Sequence, residues 1–255
     1  MALFPALIVL VAWYALALGV SHARGVRFPT PWTTAVTLGH LLAGRTMADH
    51  TLYKHVLHSL ARWGVAFCLA AGAGIAYGLI AGWCRTVERI TIPIIHVLQL
   101  IPGLAWIPVA LLLFGIGQRA TLFMIAVTAF APVALNVLAG AKCVDVTYLR
   151  AARMLGARRG TLLLRVLLPG ALPQILSGLR IGLGNGWRVL VAAEMIVGTG
   201  TGLGYCIIQA RWTLDYASAF ACLVIICLVG LFVERVLFAT LERRTIERWG
   251  LARGS

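Results

Sequence analysis

Apolar residues run along this chain in long unbroken blocks, not in the short alternations of a soluble fold. A helix that crosses a bilayer needs ~20 predominantly apolar residues. Six blocks come near that length, at 2–20, 64–84, 90–114, 120–141, 171–197 and 216–232. The first carries no charge and lacks the basic leading segment of a cleaved signal, so it is expected to stay as a helix. In the second, Gly74, Gly78 and Gly82 recur at a spacing of four, a small-residue stripe of the kind that lets two helices approach closely in lipid. The third holds Pro93, Pro102 and Pro108, which predicts a kinked or interrupted span. Such a break is tolerated only where neighbours or a cavity satisfy the freed backbone groups. The expected fold class is an all-α integral membrane protein with six transmembrane helices, a single domain over residues 1–255.

Composition agrees with the pattern. Of 255 residues, 61% are hydrophobic and 12% charged, with a mean hydropathy of +0.93. A soluble domain would carry about 25% charged residues. The net charge of +14 does not point to nucleic acid, because the basic residues do not interleave with exposed aromatics. It follows instead from basic loops on one side of a membrane. Arg85 and Arg89, Lys142 to Arg165, and Arg235, Arg243, Arg244, Arg248 and Arg253 fall together on that side. The opposite side has Arg24, Arg27, Arg45, Lys54, Arg119 and Arg211. The richer side is expected to be cytoplasmic, which with six spans puts both termini there. The six cysteines show no metal-binding or redox spacing and read as free thiols.

The loop at 142–170 is more than a connector. Residues 148–165 read YLRAARMLGARRGTLLLR, an amphipathic stretch interrupted by Gly156 and Gly160 and ended by Pro169 and Pro173. Two short helices with a bend are expected there. Taken alone, the stretch would fit an interfacial helix with arginines on lipid headgroups. However, Ala151-Ala152, Gly156, Val166 and Leu168-Pro169 stand at every spacing of the EAA motif of ABC importer permeases, with Arg150 in place of the Glu. The chain resembles that family further. Phe28-Pro29-Thr30-Pro31, Ser59-Leu60-Ala61-Arg62, the stretch 101–117, the run 187–195 and Gly202-Leu203-Gly204 are all similar to the nitrate/sulfonate/taurine/bicarbonate-type branch.

The resemblance implies a type I importer permease in a bacterial inner membrane. Its coupling helix, between spans four and five, would dock on a separate ATPase. Arg150, Ala151, Ala152, Leu155, Gly156 and Ala157 would form that contact, with an acidic partner or a changed role for Arg150. It also implies two ATPase subunits, a second permease copy, most simply an identical one, and a periplasmic or lipid-anchored binding protein. No nucleic acid is implied. ATP and magnesium would bind the partner, and no cofactor is expected in this chain. Neither Lys54 nor Lys142 has the surroundings of a P-loop lysine, so the chain is not expected to be an enzyme. The cargo would be a small anion, such as taurine, an aliphatic sulfonate or nitrate.

Charges inside a membrane mark candidate functional sites. Span five holds Arg180, Arg188 and Glu194. Arg188 either contacts an anionic cargo or pairs with a carboxylate such as Glu194 of a second copy. Gln99 on the interrupted span, Arg188 and Glu194 are the candidate pathway residues, with packing or gating the favoured role for Glu194. His96 and Asn136 fit interhelical hydrogen bonding equally well. The glycine-rich run 198–204 reads as a flexible turn, and His50, His55 and His58 as an outer-loop group short of a metal site. An ion-gradient-driven transporter is the alternative, and it would require acidic coupling sites in several spans.

Overall fold

A computed structural model describes residues 3–25, 27–198 and 200–237. Arg243, Arg244, Arg248 and Arg253 therefore lie outside the described residues. The elements in order are α1 (Leu3–Arg24), α2 (Pro31–Leu42), a two-residue hairpin of β1 (Thr46–Met47) and β2 (His50–Thr51), and α3 (Leu52–Trp83). Then come α4 (Arg85–Leu100), a 3-10 turn (Gly103–Trp106), α5 (Ile107–Phe114), α6 (Gln118–Cys143), α7 (Val146–Met154) and α8 (Arg159–Leu162). After a π-helical turn come α9 (Leu168–Gly170), α10 (Leu172–Ile196), α11 (Leu203–Trp212) and α12 (Tyr216–Phe232), and a second π-helical turn (Val233–Leu237) ends the described residues. Among the described residues, four helices are long and apolar enough to cross a membrane, or up to six if each of two bent pairs is one span. The protein is an all-helical membrane bundle.

Helix α6 is the centre, held between α3 and α10 by small residues on both sides. A side chain at Gly78 would strike Val137 and the Ala134 carbonyl, and one at Gly182 would strike Val133 and the Ala129 carbonyl. Lipid gives no hydrophobic drive for helices to associate, so this close backbone approach and its dispersion contacts hold the bundle. Leu79, Val133, Val137, Leu167 and Ile175 fill one end of the core. Trp63, Trp187, Leu190, Leu203 and Ile225 fill the other.

The proline-rich span is broken. Helix α4 and the segment after Pro102 meet at 102°. Pro102 carries no amide hydrogen, while Pro108 sits in the first turn of α5, where its missing donor costs little. Helix α3 begins at Leu52 rather than Gly64 and has 32 residues. At 1.5 Å per residue that is ~48 Å, well beyond a hydrocarbon core of ~30 Å. His55 and His58 consequently belong to a helix and not to a loop. The short helices α2 and α11 were not expected, because neither approaches the length of a span.

Candidate functional site

At the end of the bundle that carries α11, α3 presents His55, Ser59 and Arg62 on one face, spaced to fall one above another. All three are buried; Ser59 and Arg62 reach Glu194 near the end of α10, and His55 reaches Gly202 just before α11. Arg62 is 5% exposed and Glu194 1% exposed, and the guanidinium Nη1 donates to Glu194 Oε1 at 2.9 Å. Ser59 Oγ lies 2.9 Å from both carboxylate oxygens. Arg62 also donates to the Thr201 carbonyl and hydroxyl, each at 2.7 Å.

The glycine-rich run closes this cluster. The Gly204 amide donates to Glu194 Oε2 at 3.0 Å, the Leu203 amide to Ser59 Oγ at 2.9 Å and the Gly202 amide to His55 Nδ1 at 3.1 Å. His55 Nε2 lies 2.8 Å from the Met47 carbonyl, so the ring is the neutral tautomer that donates from Nε2 and accepts at Nδ1. Within the run expected to be a flexible turn, the amides of Gly202, Leu203 and Gly204 are thus pinned. Gly202 has φ +128°, a backbone that a side chain rarely adopts, and Glu194 fills the space where a side chain would go. The N-terminus of α11 is an anion nest whose anion is the protein's own carboxylate. Within this chain Glu194 is thus bonded to Arg62, Ser59 and Gly204, and it does not line the cavity described next.

That cavity, about 250 Å³, opens where α4 breaks. Gln99, Pro102, Gly103, Thr128, Asn185 and Arg188 line it, so the structure brings Gln99 and Arg188 together. Arg188 is exposed and donates from Nε to the Gly184 carbonyl at 3.2 Å and from Nη2 to Asn185 Oδ1 at 2.8 Å. Pro132 on α6 also borders the space, and having no N–H it cannot bond the Thr128 carbonyl one turn back. On its other side Arg188 meets a cavity of about 370 Å³ with Arg180, Glu234 and Trp187. His96 is exposed on α4, and Asn136 donates to the Pro132 carbonyl of its own helix at 2.8 Å. Asn185 and Thr128 were missed in the sequence. The signal for Asn185 was its place one turn before Arg188.

The opposite end carries α7. Asp145 caps it, accepting from the Thr147 amide at 2.8 Å. Hydrogen bonding from Thr147, and secondarily the Arg150 charge, hold the Asp145 carboxyl below the usual aspartate range. Arg150, the departure from the motif, thus has an acidic neighbour in its own chain. At the far end the Ala157 amide bonds the Ala152 carbonyl and the Gly156 amide bonds the Arg153 carbonyl, each at 3.0 Å. With Gly156 at φ +79°, this is a Schellman stop, which explains the motif's spacing of alanine and glycine. Ala151 is exposed, Ala152 and Ala157 are half-buried, and Met154 and Leu155 project at 89% and 88% exposure. The Arg153 guanidinium lies 5.8 Å from the Trp83 ring centre, and Lys142 pairs with Glu88. The first contact ties the last turn of α7 to the end of α3, and the second ties α6 to α4 just before α7 begins.

A bundle with a broken span around a polar cavity, and a capped amphipathic helix hung from one end, defines a membrane transport permease. The chain belongs to the family of binding-protein-dependent transport system inner membrane components, whose profile matches residues 74–247. It is 37% identical over 238 residues to the taurine transport system permease protein TauC of Escherichia coli, covering 93% of this chain and 86% of that one. It is 32% identical to the nitrate import permease protein NrtB of a Synechocystis strain, covering 89% of this chain and 82% of that one. Among solved structures, an inward-facing MetNI methionine ABC transporter matches with a TM-score of 0.62 at 22% identity, covering 76% of this chain and 95% of that one. An amino acid ABC transporter matches at 0.55 and 21% identity, covering 85% of this chain and all of that one. These likenesses establish the type I importer permease fold and a non-catalytic inner-membrane subunit.

Proposed function

We propose that this chain forms the translocation pathway of an ATP-driven importer for a small oxyanion of the taurine or nitrate kind. Two copies would associate and bind two ATPase subunits, which hold ATP and magnesium, while a binding protein delivers cargo on the opposite side. Residues 142–170 and both termini would face the cytoplasm. The single observation that carries the coupling is the tip of α7. Met154 and Leu155 project beside the Schellman stop that ends α7, with Arg153 of the same turn packed on Trp83, leaving an apolar end for a partner. ATP-driven closure of the ATPases would move that end and rock the bundle between its two access states. The cargo class is supported by the named transport of the taurine and nitrate relatives.

An ion-gradient-driven carrier is the second reading, and it is less favoured because Glu194 is already bonded to Arg62, Ser59 and Gly204. Pull-down of the detergent-solubilised chain with its co-expressed ATPase tests the coupling. Gly156→Val forces a branched side chain into the left-handed region at a cost of about 1–3 kcal/mol. The expected result is a folded bundle that no longer retains the ATPase, and Ala152→Asp should act in the same way. If the intact chain retains no ATPase, the gradient-driven reading replaces this one.

A further inference from the structure

The cavity at the break of α4 holds hydrogen-bond donors that nothing among the described residues uses. Among the described residues the Gln99 amide makes no hydrogen bond. Asn185 accepts from Arg188 through Oδ1, which leaves its NH₂ group unspent. Arg188 spends Nε and Nη2 on neutral acceptors of its own helix, so Nη1 is free of any partner among the described residues. No carboxylate lines this cavity, and Glu234, which borders the neighbouring one, makes no ion pair with Arg188. A guanidinium stays charged at every physiological pH. A cation in a membrane cavity without a counter-charge is costly unless an anion visits it.

We infer that Arg188, Asn185 and Gln99 form an oxyanion-binding station within the permease itself, selective for a small sulfonate or nitrate-like head group. The guanidinium fork presents a charged N–H to one oxygen, and the two side-chain amides supply neutral donors to the others. Position follows from the break. Gly103 lets the bent chain come against Thr128 and Val189, where any side chain would collide, and so sets Gln99 across the cavity from α10.

The station rests on the proposed function only for the choice of a small anionic cargo, and its test needs neither nucleotide nor ATPase. The full chain in lipid nanodiscs is titrated with radiolabelled taurine, with unlabelled nitrate and choline as competitors. The expected result is saturable binding that nitrate displaces and choline does not. Arg188→Gln should weaken it by about tenfold to a hundredfold, and Asn185→Ala or Gln99→Leu by up to about tenfold, as expected for lost charged and neutral hydrogen bonds. Arg188→Lys keeps the charge without the fork and should fall between wild type and Arg188→Gln. If Arg188→Gln does not fold, the Asn185 and Gln99 variants decide alone. No saturable binding of taurine or nitrate by the wild-type chain, or unchanged binding in the folded variants, overturns the station. Loss of ATPase retention with binding intact would instead count against the importer reading and leave the station standing.

Discussion

Arg62 and Arg188 are both arginines on spanning helices, and the protein treats them in opposite ways. Arg62 is buried and bonded to Glu194, to Thr201 and, through the carboxylate, to Ser59 and the α11 amides. Arg188 is exposed to a cavity and touches only neutral groups of its own helix. A buried charge paired with a carboxylate stabilises one arrangement and is not presented to a ligand. A charge left without its counter-ion adds little to the fold and can attract an anion. Intramembrane arginines are therefore sorted by what their donors already hold, not by depth.

The sharpest way to break that contrast is to remove one partner from each. Glu194→Ala leaves the Arg62 charge buried and the α11 amides unmatched, which should cost about 3–5 kcal/mol. Thermal unfolding in detergent should show a large loss, and the double change of Arg62 and Glu194 to Met should recover part of it. Arg188→Gln should shift the same melting curve by no more than about 0.5 kcal/mol. Equal destabilisation by the two changes would erase the distinction.

A smaller effect sharpens the picture at the closed cluster. Ser59→Ala removes a donor from Glu194 and an acceptor from Leu203, for an expected loss of about 1–3 kcal/mol in the same assay. The smallest effect concerns pH. Asp145 has its carboxyl depressed in the folded chain, so its contribution is complete above the ordinary aspartate range and fades as pH falls through its lowered value. Acid should fray α7 first at its Asp145 end, read by proteolysis within 145–154, and Asp145→Asn should remove that acid dependence.

The sequence was informative wherever one helix decides the outcome. Apolar runs marked the spans, Pro102 marked the break, and Gly156 marked the stop of α7, because periodicity and backbone chemistry are local. The glycine stripe of α3 could be recognised as a packing face for the same reason. The cluster around Glu194 could not, since Arg62 and Glu194 stand 132 positions apart and pair only after folding. The span expected at 64–84 begins after Arg62, whereas Arg62 lies buried inside α3, which starts at Leu52. The pathway residues divided along the same line. Gln99 and Arg188 share a cavity set by the break, while Glu194, six residues further along α10, is withdrawn from it by partners on α3 and α11.

The separation of Arg62 from Glu194 also sets a schedule for biosynthesis. At about 5–20 residues per second, the ribosome takes on the order of ten seconds to make the intervening chain. During that interval α3 holds a cation without its carboxylate, which membrane interior would reject. At 32 residues α3 has turns to spare beyond a hydrocarbon core of ~30 Å, and a helix with that slack can keep Arg62 at the headgroups until its carboxylate is made.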